Sequence, residues 1–161
     1  MNDTSINDAF SKCETEYSKE LKPYIHLAKY YETDQMAVIH HSNYIRWFEE
    51  ARVDFLEQIG LGYDKIEDAG IYSPVLGVEC EFKSAVRFNE KIFVIPKLVY
   101  FNGFKMTIEY RVLDVDSHQL RARGETKHCF VTNDFKPVNL KKDHKDMYDI
   151  LLNWTGINIK E

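Results

Sequence analysis

The spacing of apolar residues changes period several times along the chain, and each change marks an element. Tyr44, Trp47, Phe48, Ala51, Phe55, Leu56 and Ile59 recur three and four residues apart, forming one wide face of an α-helix. Arg46, Glu49, Asp54 and Glu57 occupy the other side. Ser42 or Asn43 is placed to cap the start, and Gly60 stands where a left-handed residue ends a helix. Upstream, residues 25–31 are β-branched and aromatic and predict a first strand, followed by a surface loop over 32–43. After a short helical link over 63–69 the period falls to two: Leu76, Val78, Cys80 and Phe82 alternate with Gly77, Glu79, Glu81 and Lys83. A further strand covers 91–101, where Pro96 belongs at an edge or a bulge. Asn102-Gly103 predicts a type I′ hairpin turn into a strand from Phe104 to beyond Val112. A last long strand covers 120–132, with Leu120, Ala122, Gly124, Thr126, His128 and Phe130 on one face. Met147, Ile150, Leu151 and Trp154 have the spacing of a C-terminal helix.

The order is strand, long helix, then four strands in meander, an α+β arrangement with one amphipathic helix against a mostly antiparallel sheet. Three segments follow: a polar extension over 1–22, a single domain over 23–140, and a C-terminal helix and tail over 141–161. Phe10, Cys13, Tyr17 and Leu21 make a thin apolar stripe in the extension. The 44% hydrophobic content is that of a folded globule, and ten Tyr and ten Phe favour a sheet-rich core. A formal charge of −5 argues against nucleic acid as partner, so a phosphorylated ligand needs a local cluster of Lys and Arg. No apolar run approaches the roughly 20 residues that span a bilayer. The N-terminus lacks the basic start and apolar core of a secretory signal. Cys13, Cys80 and Cys129 are odd in number and far apart, with no metal-ligand spacing, so reduced thiols in the cytoplasm are expected.

Asp34 stands out as a candidate for chemistry. It lies in the loop before the long helix, whose first turn offers unpaired N–H donors and a partial positive charge. A carboxylate facing such a terminus is equipped to attack an activated ester; alternatively Asp34 caps a turn. The adjacent His40 and His41 lack a third metal ligand. His128 and Cys129 are strand neighbours that point to opposite faces, so they cannot act as a thiol and its base. Glu49 and Glu50 read as helix carboxylates that are solvated or paired with Arg46 and Arg52. Lys83, Arg87, Arg121, Arg123 and Lys127 are the cations available to a phosphorylated ligand, or an ordinary charged sheet face. No Gly-rich loop supports a nucleotide triphosphate or a dinucleotide.

The run YYETDQMAVIHHSNYIRWFEEAR, with its aromatic pair, Thr33-Asp34, His41, Asn43-Tyr44 and the helical Glu-Glu-Ala-Arg, resembles the 4-hydroxybenzoyl-CoA thioesterase branch of the hotdog acyl-CoA thioesterases. The later SPVLGVECEFKSAVRF and RARGETKHCFV are similar to that family's second and last strands, so the resemblance covers about residues 25–140. It implies a sheet wrapped around the long helix and hydrolysis of an acyl-CoA to a free acid and coenzyme A. It also implies Asp34 as nucleophile or general base, with the backbone N–H of His41 holding the thioester oxygen. Beside the resemblance, Tyr44 reads as core that could also border the acyl group, and Lys83, Arg87, Arg121 and Arg123 are the cations available to face the coenzyme A phosphates. No cofactor or metal beyond the substrate's own coenzyme A is implied, no membrane insertion is expected, and members form homodimers or homotetramers with sites at subunit boundaries. Two departures stand out: Ala37 replaces a usual Gly, and Ala85 with Asn89-Glu90 replaces a usual Pro and Gly-Asp. A hotdog dehydratase or hydratase, and a non-catalytic acyl-CoA-binding module, are the alternative readings.

Overall fold

The computed structural model describes residues 20–161. Phe10, Cys13 and Tyr17 of the expected stripe lie outside the described residues. Only Tyr24–Leu27 forms the first strand, β1, and the chain then closes a 3₁₀ turn at Tyr30–Glu32. The expected strand therefore ends early. The Glu32 carboxylate accepts the Lys29 N–H at 2.7 Å, and the Thr33 N–H donates to the Tyr30 carbonyl at 3.1 Å, which bends the backbone out of the sheet.

Helix α1 runs over Ser42–Gln58 and buries Tyr44, Trp47, Phe48, Ala51, Phe55 and Leu56, the stripe read from spacing. Each large side chain so buried contributes about 1.5–3 kcal/mol. Gly60, at φ 85, ends the helix as expected, with the Leu61 N–H reaching back to the Leu56 carbonyl at 2.8 Å. The start differs from expectation. His41 holds the cap position with helical dihedrals and no side-chain bond, while Ser42 and Asn43 lie inside the first turn. Asn43 turns its amide instead to the carbonyls of Glu32 and His40, at 2.9 and 3.2 Å.

A short helix α2 (Tyr63–Asp68) leads to strands β2 (Val75–Phe82), β3 (Lys91–Phe101), β4 (Lys105–Asp114) and β5 (Leu120–Cys129). The sheet is antiparallel, in the order β1-β3-β4-β5-β2. The four strands are therefore not a simple meander: β3, β4 and β5 are, but β2 crosses to the far edge to pair with β5. Alternation along β2 carries no information about its partner. β1 pairs with β3 only as far as Val94, so Pro96 needs no ladder N–H on that side. At 102–104 the turn is not type I′, because only Gly103 has positive φ; the Asn102 Oδ1 accepts the N–H groups of Phe104 and Lys105. Helices α3 (Leu140–Asp143) and α4 (Lys145–Trp154) complete the fold, with Met147 and Leu151 buried.

The helix meets the sheet closely. Phe48 stacks on Tyr110 with ring centroids 4.5 Å apart. A Cβ at Gly124 would stand 2.3 Å from the Phe48 ring, so this strand position admits only glycine. One long helix packed across a five-stranded antiparallel sheet is the hotdog arrangement.

Candidate active site

The loop before α1 is tightly folded. Thr33 bridges Ile39, the Asp34 N–H donates to the Val38 carbonyl at 2.9 Å, and the Ala37 N–H donates to the Asp34 carbonyl at 3.0 Å. Closing so short a loop requires Ala37 to adopt φ 58, the left-handed region where a Cβ costs about 1–2 kcal/mol. The Gly-to-Ala departure noted in the sequence thus falls on a position that does need positive φ. Arg87 Nη1 donates to the Ala37 carbonyl at 3.3 Å and steadies the loop tip.

Glu32 anchors the base of this loop. It is buried, its carboxylate accepts Trp47 Nε1 at 2.8 Å, and it pairs with the buried His26 Nε2 at 3.0 Å. Burial alone would raise the Glu32 pKa, but the bonds from His26, the Lys29 N–H and Trp47 outweigh it and hold the carboxyl below its usual range. The Glu32 carbonyl also accepts the His40 N–H at 2.8 Å, so this residue ties both ends of the loop to the helix. Nothing in the spacing around Glu32 marked it out.

Asp34 Oδ1 accepts the Met36 N–H at 2.8 Å, so the turn-capping reading holds for one oxygen; Oδ2 has no donor among the described residues. Across the loop, the Asn43 and Tyr44 N–H groups are taken by the His40 and His41 carbonyls, and the Ser42 N–H by His40 Nδ1. The His41 N–H donates to no protein group among the described residues. Asp34, His41, Tyr44, Phe82 and Lys83 line one cleft of about 330 Å³. Tyr44 is buried there against Phe82, and burial pushes its hydroxyl up to about 12, so it stays protonated.

The expected ligand cations each have a partner within the protein. Arg121 donates to the Ala85 carbonyl at 2.7 Å and to Asp114 at 2.9 Å; the Ser117 N–H, and then this Arg121 bond, bring the Asp114 carboxyl down to about 2. Arg123 and Lys83 both pair with Glu81, and Lys127 with Glu125. Glu50 pairs with neither Arg46 nor Arg52; it accepts the Tyr24 hydroxyl at 2.7 Å. Cys80 and Cys129 are free, and burial pushes the Cys80 thiol up to about 11, leaving little thiolate. His128 faces the core, 2.8 Å from Thr126, on the side away from Cys129.

A family model described as the thioesterase-like superfamily matches residues 29–147. An Aquifex aeolicus protein with the provisional name of esterase is 37% identical over 115 residues, covering 71% of this chain and 88% of its own. A Bacillus subtilis protein provisionally named acyl-CoA thioesterase YneP is 29% identical over 121 residues, covering 74% and 87%. Among solved structures, the DHNA-CoA thioesterase from Staphylococcus aureus superposes with a TM-score of 0.78 at 28% identity, over 82% of this chain and 89% of that one. The protein is therefore a hotdog-fold thioesterase. It belongs to the thioesterase-like superfamily.

Proposed function

We propose that this enzyme hydrolyses acyl-CoA thioesters, with Asp34 as the catalytic carboxylate and the His41 N–H as the oxyanion donor. The observation that carries the reading is the pairing, around one cleft, of an Asp34 oxygen and a helix-terminal N–H that have no hydrogen-bond partner among the described residues. The thioester carbonyl oxygen lies against the His41 N–H, where the helix dipole favours the negative charge that develops on it. Asp34 either adds to the carbonyl carbon, giving an anhydride that water opens, or removes a proton from the water that adds. By both routes the C–S bond breaks, the sulfur leaves as the coenzyme A thiol and the carbonyl carbon becomes a carboxylic acid. Lys83 lines the cleft and, released from its pair with Glu81, serves the coenzyme A phosphates, while Arg87 serves the loop tip. Unpaired thiols at Cys80 and Cys129 suit the cytoplasm.

The reading includes a second copy of the chain. The outer edge of β2 has no partner among the described residues, and Val75, Leu76, Val78 and Phe82 along it are 36–56% exposed. An open, apolar edge of this kind pairs readily with its own twin. Antiparallel pairing of two β2 strands sets the Phe82 end of one, beside its Asp34 cleft, against the Val75 end of the other. This supports a homodimer, or a tetramer built from two such dimers, with each site at the boundary.

Thiol release from a panel of aromatic, short and long acyl-CoAs tests the function. Turnover of at least one is expected. Binding of the whole panel without thiol release would favour the non-catalytic module, and water addition to an enoyl-CoA the hydratase.

A further inference from the structure

A second cavity, of about 400 Å³, opens at the other end of α1 and is within the size range of small-molecule sites. Its walls are apolar, built from Leu56, Leu61, Ile71, Met106 and Phe130, with the exposed Phe135 on its lining. It is not the Asp34 cleft of the same chain. Arg52 and Leu56 follow Ser42 by ten and fourteen residues, which places them about 15 and 21 Å further along the helix at the ordinary rise.

Among the described residues, one cation lines this apolar space. Arg52 is only 5% exposed, its Nη1 is sealed from solvent and has no hydrogen-bond partner among them, and its guanidinium lies 5.8 Å from the centre of the Tyr63 ring. The Ser73 hydroxyl, on the same lining, is also buried and has no partner among the described residues. The carboxylate on the lining, Glu67, is exposed and forms no ion pair with Arg52 among the described residues. A guanidinium is always charged and carries its donors in a fork that fits a carboxylate. Left unpaired in an apolar site, such a charge is costly, and a bound anion removes that cost.

We propose that this cavity binds a carboxylate carried on an apolar body, with Arg52 and Ser73 as donors to the carboxylate and Tyr63, Ile71 and Phe130 around the body. Two sources supply that chemistry: a free apolar acid, or the far end of an acyl group that itself ends in a carboxylate. For the second source, the β2 pairing described above brings Tyr72, Ser73 and Pro74 of one chain toward the Asp34 cleft of its twin, so that arm rests on the proposed function. The first source does not.

Calorimetric titration of the full chain with octanoate and 2-naphthoate, against octanol and 2-naphthol as uncharged counterparts, tests the free-acid source. Thiol release from adipoyl-CoA against hexanoyl-CoA tests the acyl source. The proposal expects at least a tenfold preference for the carboxylate in Kd or in kcat/KM, reduced to near parity in Arg52→Met and weakened in Ser73→Ala. Arg52→Met is expected to melt no lower than the parent, since it replaces an unpaired buried charge with an apolar chain of similar length. A preference only in titration assigns the site to free acids, and one only in kcat/KM assigns it to the acyl group. Absence of preference in both assays, or a preference that Arg52→Met and Ser73→Ala both leave intact, overturns the proposal. If no acyl-CoA is hydrolysed at all, the titration still decides the site, so the two readings fail separately.

Discussion

Asp34→Asn is expected to lower kcat for thiol release by about 10³-fold, within the range a positioned proton-transfer or nucleophilic carboxylate supplies. The amide removes the charge but keeps an oxygen where Asp34 Oδ1 accepts the Met36 N–H, so the turn and the left-handed Ala37 beside it stay in place. KM and the melting temperature should therefore change little. That combination separates chemistry from structure: a residue that merely caps a turn would leave kcat intact. Asp34→Ala loses both functions and is the less informative variant.

Acidification should destabilise the fold well before most carboxylates titrate. His128 is buried, 1% exposed, and burial followed by the field of Arg52 lowers its pKa from 6.5 to about 4. Below pH 6.5 the unfolded chain takes up a proton at this histidine that the folded chain refuses, so stability is full above 6.5 and is lost as pH falls toward 4. At about 1.4 kcal/mol per pKa unit the loss approaches 3 kcal/mol. Glu32 and Asp114, whose pKa values are lowered, add their own losses only below about pH 4.5. Urea unfolding from pH 7 to 4 should thus show a decline from 6.5 that His128→Gln flattens; a wild-type midpoint constant over that range would contradict this account of the core.

The long helix was legible because packing a helix on a sheet forces a 3.6-residue repeat on its apolar positions, and Tyr44 to Ile59 keep it for four turns. Its end was legible for a similar reason, since Gly60 has a conformation few other residues accept. The start was not. Ser42 and Asn43 are good caps by composition, but Asn43 is drawn to the Glu32 and His40 carbonyls, contacts that exist only once the loop has folded. Strand periodicity identified β2 but not its place at the sheet edge, because alternation reports a face and not a neighbour.

The same limit divides the site. Asp34, His41 and Tyr44 share one short segment, so they are neighbours in the chain as well as on the cleft. Lys83, just past the end of β2, reaches the cleft by tertiary packing, and Arg121 is held by Asp114 and the Ala85 carbonyl. Arg52 reads from the sequence as an ion-pair partner for a helix carboxylate, yet it falls four residues after Phe48 and eight after Tyr44, on the edge of the buried stripe. That spacing carried the signal, and charge type masked it. Glu32 left no such trace, since its partners His26 and Trp47 lie on different elements.

A crystal structure with a non-cleavable acyl-CoA, in which a methylene separates the carbonyl from sulfur, tests the roles of Asp34 and His41. The ketone oxygen is predicted within about 3 Å of the His41 nitrogen, with its carbon about 3–3.5 Å from an Asp34 oxygen or from a water that this oxygen holds. A ketone bound away from the start of α1, with the Asp34 carboxylate directed to solvent, would contradict the account.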